Sequence, residues 1–167
     1  TVINDYTFTN CTGLKSVVIP NGVTQIGDSA FADCTGLTSI TIPSSVTEID
    51  YDDSSHGAFN GCTELSSITV AKGNPVYHSA GNCLIKTEEK LLVAGCKTSV
   101  IPNDGSVMEI GYMAFGGNTS LTSIAIPENV TLIYSSAFYH CSSLADIYYG
   151  GTEAQWAGLA TDYNVPD

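Results

Sequence analysis

Six cysteines, three histidines and a run of carboxylates are the residues of this 167-residue chain whose side chains could do chemistry. Cys11, Cys34, Cys62 and Cys141 each follow a phenylalanine by three residues, and Asn118 takes the same place after Phe115. Disulfides and metal sites need side chains that converge. Residues at one phase of a repeat point in parallel, so this spacing predicts reduced thiols buried as small core residues with a weak donor. Cys83 and Cys96 lie outside that phase, on either side of a predicted hairpin, and could pair with each other.

Asp50-Tyr51-Asp52-Asp53-Ser54-Ser55-His56 brings three carboxylates close together, the oxygen-rich chemistry of a calcium loop. Its spacing lacks the full EF-hand pattern, and a solvated acidic loop is the simpler reading. His56, His78 and His140 have no metal-ligand spacing with the cysteines. The chain contains no His-Glu-x-x-His, no Gly-x-Ser-x-Gly, no Gly-x-Gly-x-x-Gly and no phosphate loop, so neither an enzyme nor a cofactor is expected. Asn10, Asn118 and Asn129 open glycosylation-type triplets, which a chain this rich in Asn, Ser and Thr forms by accident.

Charge excludes one class of partner. Seventeen acidic residues face five lysines, giving −12, which repels nucleic acid and anionic lipid. No run approaches the roughly 20 apolar residues of a membrane helix, and no membrane insertion is expected of this segment. With 43% hydrophobic residues a core can form. Only 13% of residues are charged, so the surface is made mostly of Ser, Thr, Asn, Gly and Tyr, a composition that points outside the cell.

The elements that position these residues come from one internal repeat. Phe8, Phe31, Phe59, Phe115 and Phe138 share a phase, with spacings of 23 residues between the first pair and the last pair, 28 between Phe31 and Phe59, and 56 between Phe59 and Phe115. Such periods define a solenoid, in which each coil buries its apolar edge only against its neighbours. After each Phe comes Leu-x-x-apolar-x-apolar, as in Leu37, Ile40 and Ile42, the alternation of a short strand with one buried face. Pro20, Pro43 and Pro127 end the strand by withholding an amide donor. Val23 and Ile26, Val46 and Ile49, Val107 and Ile110, and Val130 and Ile133 form a second short apolar segment. The chain begins inside a coil, so either further repeats precede residue 1 or the first coil is exposed.

Two stretches depart from the pattern. Between Ala71 and Ser99 the unit is enlarged, and Cys83-Leu84-Ile85 and Leu91-Leu92-Val93-Ala94 read as a β-hairpin turning around Lys86-Thr87-Glu88-Glu89-Lys90. Near the end, Thr152-Glu153-Ala154-Gln155 has the form of a capping box. The short helix it starts would set Trp156 over the last coil as a lid, a need of every solenoid end, in preference to a ligand-stacking role.

The consensus Ala-Phe-x-x-Cys-x-x-Leu-x-x-Ile-x-Ile-Pro-x-x-Val-x-x-Ile resembles the BspA-like class of leucine-rich repeats over nearly the whole chain. The resemblance implies a single leucine-rich-repeat solenoid over 1–167: regular repeats in 1–70, an enlarged repeat with a hairpin insertion in 71–99, regular repeats in 100–149 and a C-terminal cap in 150–167. It implies stacked parallel β-strands with short turns or 3-10 segments. It also implies an extracellular or cell-surface module that adheres to a protein of a host or a neighbouring cell. A carbohydrate-binding accessory module of a polysaccharide-degrading enzyme and a passive spacer are the rival expectations. The candidate partner-binding face consists of outward strand positions, Ser16, Val18, Thr38, Ser39, Thr41, Ser67, Thr69, Ser123, Asp146 and Tyr148, where a ladder of hydroxyls can meet an extended protein or a glycan, or simply face water.

Overall fold

A computed structural model of the protein describes residues 1–50 and 56–161. In chain order its elements are β1 (Val2–Ile3), β2 (Gln25–Ile26), β3 (Ser39–Ile42), β4 (Glu48–Ile49), β5 (Ser67–Val70), β6 (Tyr77–Ala80), β7 (Cys83–Lys86), β8 (Leu91–Ala94), β9 (Glu109–Ile110), β10 (Ser123–Ile126), β11 (Leu132–Ile133), β12 (Asp146–Tyr149), helix α1 (Glu153–Ala157) and β13 (Ala160–Thr161). The coils line up in two parallel ladders, the first coil joining the Leu-x-x-Ile ladder only by a bridge from Ser16 to Ser39. The Leu-x-x-apolar-x-apolar segments pair as β3 with β5 and β10 with β12, while the shorter segments pair as β1-β2-β4 and as β9-β11, the latter flanked by β8 on one side and β13 on the other. In β3 and β10 the residues alternate strictly, with Ile40, Ile42, Ile124 and Ile126 buried and the hydroxyl or alanine neighbours exposed.

The phenylalanine corner closes each coil by a device that local patterning does not announce. Amides alternate in direction: Tyr6, Phe8 and Asn10 donate to carbonyls of the next coil, those of Asp28, Ala30 and Ala32, at 2.8 to 2.9 Å. Thr7, Thr9 and Cys11 donate instead to carbonyls three residues back. Every amide of the corner is thereby used, half within the coil and half between coils. The alternation needs left-handed residues two before and two after the Phe. These are Tyr6 and Asn10, Ser29 and Asp33, Gly57 and Gly61, Met113 and Gly117, and Ser136 and His140, all at positive φ. Corners are made of turns, in place of the 3-10 segments allowed for above.

Phe31, Phe59 and Phe115 are buried, and the rings stack from coil to coil: Phe8 on Phe31 at 5.2 Å, Phe31 on Phe59 at 5.7 Å, and Phe115 on Phe138 at 5.3 Å. The stack breaks between Phe59 and Phe115. There the corner position belongs to Gly95, whose amide donates to Ala114 just as the Phe amides donate to their alanines. Cys96 follows at once instead of three residues later. This corner is short enough that the Gly61 amide bypasses it and donates to Gly116 at 3.0 Å.

The enlarged repeat holds more than the expected hairpin. β6, β7 and β8 form an antiparallel meander, so a second hairpin, β6-β7, turns at Gly81-Asn82. The meander enters the solenoid as a wedge. At its base the Asn74 amide donates to the Pro43 and Val46 carbonyls, at 2.9 and 2.8 Å, while its Oδ1 accepts from the amides of Val76 and Tyr77. The Ile49 amide, on a strand whose ladder ends there, donates to the Tyr77 hydroxyl at 3.0 Å. Leu84, Leu91 and Val93 join the core of the first coils, and Cys83, Ile85 and Leu92 join that of the last.

At the C-terminal end the capping box is formed, Thr152 Oγ1 accepting from the Gln155 amide and Gln155 Oε1 from the Thr152 amide. Trp156 lies 5.3 Å from the Tyr149 ring, and Leu159 packs on the core. The lid is partial. α1 buries none of its own residues, and Ile147 of the last coil keeps 45% of its surface in water.

Candidate functional site

The chemistry-bearing residues divide by environment. Cys34, Cys62 and Cys141 each donate to the carbonyl of the phenylalanine one coil earlier: Phe8, Phe31 and Phe115, at 3.1, 3.2 and 3.0 Å. Phe and Cys thus form one inter-coil ladder, the ring stacking forward and the thiol bonding backward. Burial pushes the Cys62 thiol up to about 12 and Cys141 to about 11, and raises Cys34. Thiols held neutral in this way are poor nucleophiles. Cys11 departs from the expectation. It is exposed. Asn118 is buried at the thiol phase as expected, but its Oδ1 meets no protein donor.

All six cysteines are free, Cys83 and Cys96 included. Ser99 and the meander tip tie that region together by hydrogen bonds: Ser99 Oγ donates to the Asn82 carbonyl at 2.7 Å and accepts from the Cys96 amide at 2.8 Å. Desolvation pushes Cys83 to about 12, outweighing the opposing hydrogen bond of Ser99.

The histidines do not converge. His56 gives its backbone amide to Asp28 at 2.8 Å, His78 shares a hydrogen bond with Thr87 at 2.9 Å, and His140 meets Tyr139 edge-on. Among the described residues no cluster of His, Cys, Asp or Glu is arranged to hold a metal ion. Asp52 and Asp53 of the acidic run, and Tyr51 with them, lie outside the described residues.

The candidate face stands out more clearly. Ser16, Val18, Thr38, Ser39, Thr41, Thr69, Ser123, Asp146 and Tyr148 are all exposed, and Ser67 is half-buried. Parallel register aligns them in rows. Ser16 bridges to Ser39, which pairs with Ser67; Thr41 pairs with Thr69, their hydroxyls 2.9 Å apart; Ser123 pairs with Asp146, and Ala125 with Tyr148. Tertiary structure does not keep the rows continuous. The meander tip comes between β5 and the fourth coil, where the Gly81 carbonyl takes the Val100 amide at 2.8 Å and the Val70 amide turns to the Ser79 hydroxyl at 3.0 Å.

Beyond the tip the face changes character. Val100 precedes Ile101-Pro102 as Thr41 precedes Ile42-Pro43, so it occupies the same outward phase, and it is 69% exposed. Val100, Pro102, Ala125, Pro127, Tyr148 and Tyr149 line an open groove of about 520 Å³, with Glu128 at its rim. Tyr148 leaves 61% of its surface in water there. Sequence patterning supplied Tyr148 but passed over Val100, because the insertion hides the register of the fourth coil. The only local signal was the resumption at Ile101-Pro102.

The sequence profile of the BspA type leucine-rich repeat region matches six copies, over residues 1–78 and 93–155. The chain belongs to this BspA-type family. The unmatched stretch between the two matched regions contains most of the β6-β7-β8 meander, so the profile and the geometry agree on where the repeat is interrupted. Solved structures share this BspA-type fold. The crystal structure of the pneumococcal vaccine antigen PcpA superposes with a TM-score of 0.60 at 19% identity, over 81% of this chain and 39% of that one. A leucine-rich repeat protein from Eubacterium ventriosum gives 0.53 at 19% identity, over 89% and 57%. The T. pallidum leucine-rich repeat protein TpLRR gives 0.53 at 26% identity, over 91% and 64%. The chain therefore spans less than two thirds of each of these proteins. A search of curated proteins found no match. None of the helices described is long and apolar enough to cross a membrane.

Proposed function

We propose that this BspA-type domain is a non-enzymatic adhesion module, extracellular or on a cell surface, that recognises a protein through its solenoid sheet and adjoining loops. One observation carries this reading: nine of the ten outward positions on the parallel ladder are exposed, in fixed register, over strand neighbours such as Ile40, Ile42, Ile124 and Ile126 that are buried in the core. A rigid face with aligned donors and acceptors binds without losing further conformational entropy. The vaccine-antigen description of one structural neighbour supports a surface location. Bulk added to the face tests the proposal. Immobilised extracellular proteins and glycans are presented to the domain and to Thr41→Arg, which stands a long side chain over the paired hydroxyls without touching the core. Saturable binding of a protein, lost in Thr41→Arg or in a variant of another outward position, supports the reading. Binding confined to glycans, or protein binding indifferent to every outward substitution, overturns it.

A further inference from the structure

The outward row that begins as Val18, Thr41 and Thr69 continues past the meander as Val100, Ala125 and Tyr148, and two properties change at that point together. Past Thr41 and Thr69 the row's hydroxyls give way to apolar and aromatic surface, and positive charge ends. Lys97, paired with Glu64 at 2.7 Å, is the last cation of the chain. The described residues beyond it carry Asp104, Glu109, Glu128, Asp146 and Glu153 with no lysine or arginine. One of these carboxylates lines the groove, and two more stand within two residues of lining residues. Glu128 lies on its rim, Asp146 shares the outer face of β12 with Tyr148, and Asp104 follows Pro102 by two residues. Asp104 accepts from the Ser106 amide at 2.9 Å.

A largely apolar floor with a carboxylate in its lining, in a stretch of chain without lysine or arginine, rejects anionic ligands and rewards cations that bring an apolar stem with them. Tyr148 adds an exposed ring face to which an ammonium or guanidinium group is attracted. Successive coils are about 4.8 Å apart, so the three coils from Val100 to Tyr148 span about 10 Å, the reach of about three extended residues. A strand-like segment fits that span. We infer that this groove is the docking site for an extended, lysine- or arginine-bearing segment of a partner protein, its apolar side chains against Val100, Pro102 and Ala125 and its cations at Tyr148, Asp146 and Glu128. The inference rests on the protein-binding reading above and assigns it one end of the face and one chemistry.

The test titrates the intact domain with a short fluorescent peptide of alternating lysine and valine, its glutamate-valine counterpart, and cellohexaose. The lysine peptide binds saturably and more weakly as salt is raised, and affinity falls about tenfold or more in Tyr148→Ala and in Asp146→Asn with Glu128→Gln. A control pair, Glu48→Gln with Glu88→Gln, removes the same charge elsewhere and leaves affinity unchanged. Failure of the lysine peptide to bind, equal binding of the glutamate peptide, equal loss in the control pair, indifference to Tyr148→Ala, or binding of the oligosaccharide alone overturns the proposal. If Thr41→Arg abolishes capture of a protein ligand that Tyr148→Ala leaves untouched, the groove falls while the adhesion reading stands.

Discussion

The Phe115 ring occupies the space that a side chain on Gly95 would fill, since a Cβ at Gly95 would stand 2.1 Å from Phe115 Cε1. The two residues hold equivalent corner positions in consecutive coils, and only one of them can carry a ring. Gly95→Ala therefore forces Phe115 aside and costs about 1 to 3 kcal/mol, while Phe115→Ala costs about 3 to 5 kcal/mol. Combining Gly95→Ala with Phe115→Leu costs less than the sum of the separate changes, because the smaller side chain clears the added methyl. Urea unfolding of the four proteins measures this coupling, and strict additivity would contradict the shared space.

Thiol chemistry separates the first coil from the rest. In the folded protein Cys11 reacts rapidly with Ellman reagent, and the five buried thiols react only on the timescale of unfolding. Several fast thiols would place the cysteine ladder in water.

The same ladder predicts loss of stability in alkali. Unfolded thiols ionise near pH 8.5, whereas Cys62 and Cys83 are pushed up to about 12 and Cys141 to about 11 when folded. Raised values mean that the folded state keeps protons the unfolded chain has released. Stability is therefore complete below about pH 8.5 and declines as pH rises toward the folded values, by up to about 1.4 kcal/mol per pH unit for each thiol. Urea midpoints measured between neutral pH and strong alkali show this decline, and it is shallower in Cys62→Ala. Parallel pH profiles for the two proteins would sink the prediction.

Left-handed corner residues give substitutions of opposite sign. Ser136 sits at φ 58° and is only half-buried, so Ser136→Gly relieves backbone strain and changes stability by between about 0 and +1 kcal/mol. Gly61 also has positive φ, and a Cβ there would meet Asp33 Oδ1 at 2.1 Å. Gly61→Ala is destabilising by about 1 to 3 kcal/mol. Thermal unfolding distinguishes the pair.

Asn74 holds the wedge. Asn74→Ala removes four hydrogen bonds at the base of the meander and costs about 2 kcal/mol or more, and Asn74→Asp, which keeps the acceptor for Val76 and Tyr77, costs less. Hydrogen exchange of the β6 and β7 amides reports the loosening directly. Unaltered protection in Asn74→Ala would show that the meander is held by its apolar faces alone.

Sequence by itself determined what depends on short-range spacing: the coil period, the alternation that buries Ile40 and Ile42, the strand ends at Pro20, Pro43 and Pro127, the capping box at Thr152, and the outward phase of Ser39, Thr41 and Tyr148. These were legible because a strand side chain faces one way or the other by count alone. Tertiary structure decided the rest. Whether a thiol at the common phase is buried depends on the contacts its coil makes: Cys34 is buried and donates to the Phe8 carbonyl, whereas Cys11 is exposed. The place of Gly95 in the phenylalanine series emerges only from the hydrogen bond it makes to the next coil. The division of the face into a hydroxyl part and an apolar, cation-free part follows from the meander tip entering between β5 and Val100, a contact between residues far apart in the chain that no periodicity encodes.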